Sequence, residues 1–158
     1  MDGMDPIDAK ILRSLQVEGR ITNIRLSRQV GLSESATLER VRRLEASGVI
    51  QGYAARVEPQ HVGRGLEVVM AFTLRNQNPA EVARFGEAMV RLDEVLDCAQ
   101  VLGRFDFIAH IAVRDVPALE NFINESLIPL GLIDRMESLA VLKMLKRAHP
   151  PLPLVAES

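Results

Sequence analysis

Thr22-Asn23-Ile24-Arg25-Leu26-Ser27-Arg28-Gln29-Val30-Gly31-Leu32-Ser33-Glu34-Ser35-Ala36-Thr37-Leu38-Glu39-Arg40-Val41-Arg42-Arg43-Leu44 is the stretch on which the fold turns. Thr22 has the hydroxyl that caps a helix start, Ile24, Leu26 and Val30 are expected inward at helical spacing, and Gly31 stands where a left-handed cap ends the helix. After a turn of about three residues, Ser33 or Ser35 caps a second helix, in which Leu38, Val41 and Leu44 form the expected buried stripe while Arg40, Arg42 and Arg43 point elsewhere. Two short helices around so tight a turn have helix-turn-helix proportions.

Upstream, Asp5-Pro6 reads as an N-cap followed by proline at the first helical position, and Ile7, Ile11, Leu12 and Leu15 form one apolar stripe. Downstream, Gly48 stops the second helix, Val49-Ile50 and Tyr53 to Val57 read as a two-stranded wing, and Glu58 to Gly65 reads as a linker. From Leu66 the spacing changes to alternation, with Leu66, Val68, Met70, Phe72 and Leu74 sharing one strand face. Asn78-Pro79-Ala80-Glu81 opens a helix with Val82, Phe85, Met89 and Leu92 inward. Val95 to Leu102 and Phe105 to Val113 predict a hairpin closed at Gly103-Arg104, Asp115 and Pro117 start a helix with Leu119, Phe122, Ile123 and Leu127 buried, and Arg135 to Leu145 predicts the last strand.

The order βαββαβ is the split βαβ unit, with helices on one face of an antiparallel sheet. The fold class is therefore α+β: a winged helix-turn-helix followed by a ferredoxin-like domain. The expected boundaries are 4–65 for the first domain (helix-turn-helix 23–42), 66–147 for the second and 148–158 for a flexible tail. Val69, Ala71, Ile108 and Ala112 make the uncovered sheet face too apolar for water, which predicts a sheet-to-sheet homodimer.

With 47% hydrophobic and 25% charged residues, a disordered or collagen-like chain is excluded. The single cysteine, Cys98, allows no internal disulfide and fits a reducing, cytoplasmic setting, as does an acidic N-terminus without an apolar run. The net charge of -2 argues against coating nucleic acid by bulk charge. Its distribution is uneven: Arg20 to Arg56 holds seven arginines against three glutamates, whereas from Glu58 onward 14 acids outnumber 10 bases.

On the second helix, Ser35, Ala36 and Thr37 are small enough to let the N-terminus approach base edges, with Arg40 and Arg43 in reach of bases or phosphates. The alternative for the same pattern is a solvated basic face. Asn23 and Ser33 complete the candidate DNA-binding set. Cys98, His110 and Asp106 lack a nucleophile motif, so the thiol reads as structural. His61, His110 and His149 lack metal-ligand spacing, and Gly63-Arg64-Gly65 lacks the context of a nucleotide loop, so neither metal nor cofactor is expected.

Ile7-Asp8-Ala9-Lys10-Ile11-Leu12, Gly19-Arg20-Ile21-Thr22-Asn23, Leu26 to Ser33, Arg40-Val41-Arg42-Arg43-Leu44-Glu45, Gly48 to Tyr53, and Gly103-Arg104-Phe105-Asp106-Phe107 together resemble the Lrp/AsnC transcription regulators, from Met4 to about Lys146. The resemblance implies a sequence-specific regulator of double-stranded DNA, not an enzyme, whose homodimers assemble into a higher oligomer such as an octamer. It also implies an amino acid or related metabolite as effector, bound at subunit contacts around Leu102, Gly103 and Asp106. A glycine lets backbone N–H groups approach a carboxylate, and an aspartate can receive an ammonium group; in isolation Gly103 reads equally as a tight turn.

Arg104 stands where the family often has an acid, which implies either a more anionic ligand or a pairing of Arg104 with Asp106 or a neighbouring subunit. Ser138 stands where the family often has threonine and is a further pocket candidate. An architectural protein that bridges DNA without an effector, or an enzyme built on the second domain, are the competing classes.

Overall fold

The computed structural model describes residues 4–146. Among them the chain divides into two compact units, the first ending at Arg56 and also taking in Lys146, the second running from Val57 to Leu145. The expected boundary at 65 falls earlier because the linker packs onto the second unit. Pro59 is buried in a 3-10 turn over Pro59–Val62, and the Arg64 guanidinium donates to the carbonyls of Asp93 and Ala112. The predicted tail, 148–158, lies outside the described residues.

The first unit is three helices, α1 (Pro6–Val17), α2 (Asn23–Val30) and α3 (Glu34–Ala46). Asp5 caps α1 by accepting from the N–H groups of Ile7 and Asp8. Ile11, Leu26, Val30 and Leu44 form the core, flanked by Ile7, Leu15, Val41 and Ile50. Ile24 and Leu38, expected inward, are exposed. On α3 the inward row is Thr37, Val41 and Leu44, at i, i+4 and i+7, because the Thr37 hydroxyl bonds the Ser33 carbonyl (2.9 Å) and can be buried like an apolar residue. The predicted wing strands do not form: residues 50–58 have no strand pairing. Gly48, at φ 74°, turns the chain so that the Ile50 N–H bonds the Leu44 carbonyl, and the Tyr53 hydroxyl then reaches Glu45.

The second unit has β1 (Leu66–Leu74), α4 (Pro79–Val90), β2 (Val95–Gln100), β3 (Phe107–Val113), α5 (Val116–Phe122) and β4 (Ile133–Ala140). The sheet order is β2-β3-β1-β4, antiparallel throughout. Phe85 and Met89 of α4 and Phe122 of α5 pack with Val68, Met70, Phe72, Phe107 and Ile111 on one face. Phe85 is the keystone, its ring 5.3 Å from that of Phe72 and 4.7 Å from that of Phe107.

Three strands are shorter than their apolar runs suggest. β4 stops at Ala140, opposite Val68 near the start of its neighbour β1; Val141 makes a last bond to the Glu67 carbonyl, and Leu142 and Leu145 are exposed. β2 ends at Gln100 and β3 begins only at Phe107 because the Val101 N–H closes the hairpin on the Asp106 carbonyl, leaving 102–105 as a loop wider than a two-residue turn. On the face away from the helices Ala71 and Ala112 are buried among their neighbours, Ile108 and Leu139 are exposed, and His110 Nε2 lies 2.9 Å from Glu67 Oε2.

Candidate DNA interface and effector site

The helix-turn-helix is built by short-range bonds. Thr22 accepts from the Arg25 N–H and caps α2; Gly31, at φ 75°, ends it, and the N–H groups of Gly31 and Leu32 both bond the Ser27 carbonyl. Ser33 caps α3 by accepting from the Ala36 N–H at 3.3 Å, which engages its hydroxyl in the turn. Asn23 donates to the Glu34 carbonyl at 2.8 Å, tying the start of α2 to the start of α3. Asn23 and Ser33 thus orient α3.

Of the α3 residues proposed from sequence, Ser35 is exposed, Ala36 is half-buried and Thr37 is buried. Thr37 does not offer its hydroxyl to a base edge, since it faces the core. Arg40 and Arg43, expected to extend outward, converge on Asp8 of α1: Arg40 Nη1 donates to Asp8 Oδ1 at 2.7 Å and Arg43 Nη2 to Asp8 Oδ2 at 2.9 Å. Arg40 also lies 3.3 Å from Asp5 Oδ2. The bond to Asp8 holds the Arg40 guanidinium above its ordinary pKa. The backbone N–H of Ile7, with help from Arg40, holds the Asp5 carboxyl below its usual range. The signal for this cluster was an acid on the first helix facing a basic run; burial of Asp8 was not legible from spacing.

In the second unit, four of the five effector candidates share one loop. Leu102 is wholly exposed, at 107% of its reference area, and a Cβ on Gly103 would meet nothing within 4 Å. Gly103 also has no positive φ, so its backbone does not demand glycine. Arg104 pairs with Glu137 of β4 (3.3 Å) and lies over the Phe105 ring, 4.4 Å from its centre; it does not pair with Asp106. Asp106 instead accepts from the Leu74 N–H at 2.7 Å and from Gln77 Nε2 at 2.8 Å, pinning the segment after β1 to the hairpin. Ser138 pairs with Met70, on the opposite face of β4 from Glu137, and is not brought to Arg104.

Beside the Asp106 clamp, Gln77, Pro79, Val82, Gly86, Gln100 and Phe107 border an open groove of about 650 Å³. Neither glutamine stood out in the sequence, since no motif marks them. Cys98 pairs with Ala109 on the helix-covered side whereas His110 lies on the other, and Asp106 is bound elsewhere, so no nucleophile, base and acid come together. Among the described residues no three His, Cys, Asp or Glu stand close enough to hold a metal, and no helix is long and apolar enough to cross a membrane.

A helix-turn-helix unit joined to an α+β unit with an open loop and groove defines a DNA-binding regulator with a ligand-binding domain. Residues 4–51 match the family model for winged helix-turn-helix DNA-binding, and residues 67–151 match that for the Lrp/AsnC ligand binding domain. The leucine-responsive regulatory proteins of Klebsiella pneumoniae and Escherichia coli are each 37% identical over 146 residues, covering 92% of this chain and 89% of theirs.

A transcriptional regulator of Neisseria meningitidis solved with L-Met superposes with a TM-score of 0.87 at 32% identity, over 95% of this chain and 96% of that one. The leucine response regulatory protein of Mycobacterium tuberculosis gives 0.78 at 32% identity, over 95% and 100%. The chain belongs to the Lrp/AsnC family of transcriptional regulators, which are not enzymes.

Proposed function

We propose that the chain controls transcription as a homodimer, paired through the uncovered sheet faces and assembled into a higher oligomer. In this reading it recognises particular duplex sequences in the cytoplasm and responds to an amino acid bound at the 102–106 loop. The observation that carries the effector reading is the loop itself: exposed, open around Gly103, and flanked by a fixed cation and a fixed anion. Both Asp106 oxygens are held by Leu74 and Gln77. A carboxylate has about four acceptor positions, so the same oxygens retain capacity for an ammonium group. The backbone at Gly103 and the guanidinium of Arg104 suit a carboxylate. The likeness to a regulator solved with L-Met supports an amino acid as the ligand class.

Ser138 serves on this reading only if a neighbouring subunit brings it to another loop. Ala36 and Ser35 present the front of α3 to DNA, with Asn23, Ser33, Thr37, Arg40 and Arg43 holding the helix in place. The test is fluorescence anisotropy of a labelled duplex from the gene's own upstream region against a scrambled one, at fixed salt, with a panel of amino acids. One amino acid should shift affinity for the first duplex, and Gly103→Arg should bind DNA normally while losing that shift. Equal binding to both duplexes with no amino acid response would refute the proposal.

A further inference from the structure

The rotation of α3 is fixed by Thr37, Val41 and Leu44 inside and by Arg40 and Arg43 turned toward Asp8. At 100° per residue, the opposite side is then Ser35, Leu38, Glu39 and Arg42, at i, i+3, i+4 and i+7. All four are exposed. Leu38 is 39% exposed, an apolar side chain on the outer face of a helix whose inner face is already filled. Ser35 hydrogen-bonds Ser33 at its base, and neither Glu39 nor Arg42 has a partner among the described residues.

We infer that Leu38 and Glu39 are the base-reading pair of this regulator, with Leu38 against a thymine methyl and Glu39 accepting from a cytosine amino group, while Arg42 binds a phosphate. The inference rests on the DNA-binding role of the helix-turn-helix and names what that helix reads. In the major groove, thymine presents a methyl group and cytosine an N4 donor; an aliphatic side chain matches the first and a carboxylate the second. Glu39 also works by exclusion. A carboxylate repels phosphates and meets only acceptors on guanine, so it is tolerated at the interface where it finds a donor and penalised elsewhere.

The N-terminal part of a recognition helix enters the groove most deeply. Arg42 lies roughly 10 Å beyond Ser35 at about 1.5 Å per residue, close to the groove's ~12 Å width, which places its guanidinium at the phosphate rim. Arg40 and Arg43 are held by Asp8 and carry no base preference.

The experiment is selection of duplexes from a random library by the full chain at fixed salt, for the natural sequence and for Leu38→Gln, Glu39→Gln and Arg42→Ala. All three positions are exposed, and circular dichroism checks the helices. The natural protein should select a consensus containing thymine and cytosine. Leu38→Gln should lose the thymine and Glu39→Gln the cytosine, each by roughly tenfold in discrimination. Arg42→Ala should keep the consensus, bind more weakly, and show a log K against log salt slope smaller by about 0.9. A consensus unchanged in both glutamine variants, or a base preference lost in Arg42→Ala, overturns the assignment and leaves DNA binding standing. Failure of the natural protein to bind any duplex overturns both.

Discussion

Asp8 is the point at which α1 grips α3, and Asp8→Ala should loosen the first unit markedly. Its side chain is 10% exposed and accepts from Arg40, itself 25% exposed, and from Arg43, 63% exposed. Removing one partner of a fully buried ion pair costs about 3–5 kcal/mol, whereas exposed pairs contribute about 0–1 kcal/mol. Arg43 belongs near the exposed limit and Arg40 between the two, with Asp5 at 3.3 Å as its residual partner. The expected total is about 2 kcal/mol. For a small unit each kcal/mol moves Tm by roughly 4–8 °C, so the helical unit should melt roughly 8–16 °C lower.

Differential scanning calorimetry or a far-ultraviolet circular dichroism melt reads this directly. Asp8→Asn, which keeps the shape and one acceptor, should recover part of the loss. A second readout separates charge from packing. Freed from Asp8, Arg43 gains access to phosphate, so the salt slope of DNA binding should steepen in Asp8→Asn by up to about 0.9. A Tm within about 2 °C of the natural protein would falsify the cluster as a lock, leaving it no better than a surface pair.

Phe85→Ala should cost about 3–5 kcal/mol, seen in denaturant unfolding, because the ring is fully buried between Phe72 and Phe107; a loss below 1 kcal/mol would mean the core collapses around the gap. Gly31→Ala should lose about 1 kcal/mol in the same experiment through its left-handed backbone at φ 75°, since no atom crowds a Cβ there.

Asp5 and Asp115 cap α1 and α5 and are held below the ordinary 3.8, chiefly by the N–H groups of Ile7 and Ala118 respectively. Folding is therefore favoured by their ionisation above that value, and the gain is lost as pH falls below 3.8 through the lowered values. The double variant Asp5→Asn, Asp115→Asn should lose less stability on acidification over that window, and an unchanged acid limb would remove the caps from the account. Burial, and then the charge of Asp97, push the Cys98 thiol above 9.0, so its alkylation by iodoacetamide should reach half-maximal rate only above that pH.

Local chemistry alone settled a good part of this protein. Asp5-Pro6, Thr22, Asn78-Pro79 and Asp115 each cap the helix their residue type announces, and of the two serines open before α3 it is Ser33 that caps. Alternation through Leu66–Leu74 gave the strand whose even-numbered residues line the core, because side-chain period and backbone geometry are set within a few residues. The helix-turn-helix proportions and the βαββαβ order are legible from the same caps and spacings.

What spacing could not decide were the matters that depend on a neighbour distant in sequence. Where β4 ends depends on its pairing with β1, and the width of the 102–105 loop on a bond from Val101 to Asp106. Apolar spacing alone puts Leu38 on the inner side of α3, because Thr37 looks polar until its hydroxyl finds the Ser33 carbonyl, which moves Leu38 outward. Arg40 and Arg43 read as free cations in a one-dimensional count of charge, and only the packing of α1 against α3 puts Asp8 beneath them. Periodicity is a property of one segment, whereas burial and charge pairing belong to two segments that meet only after folding.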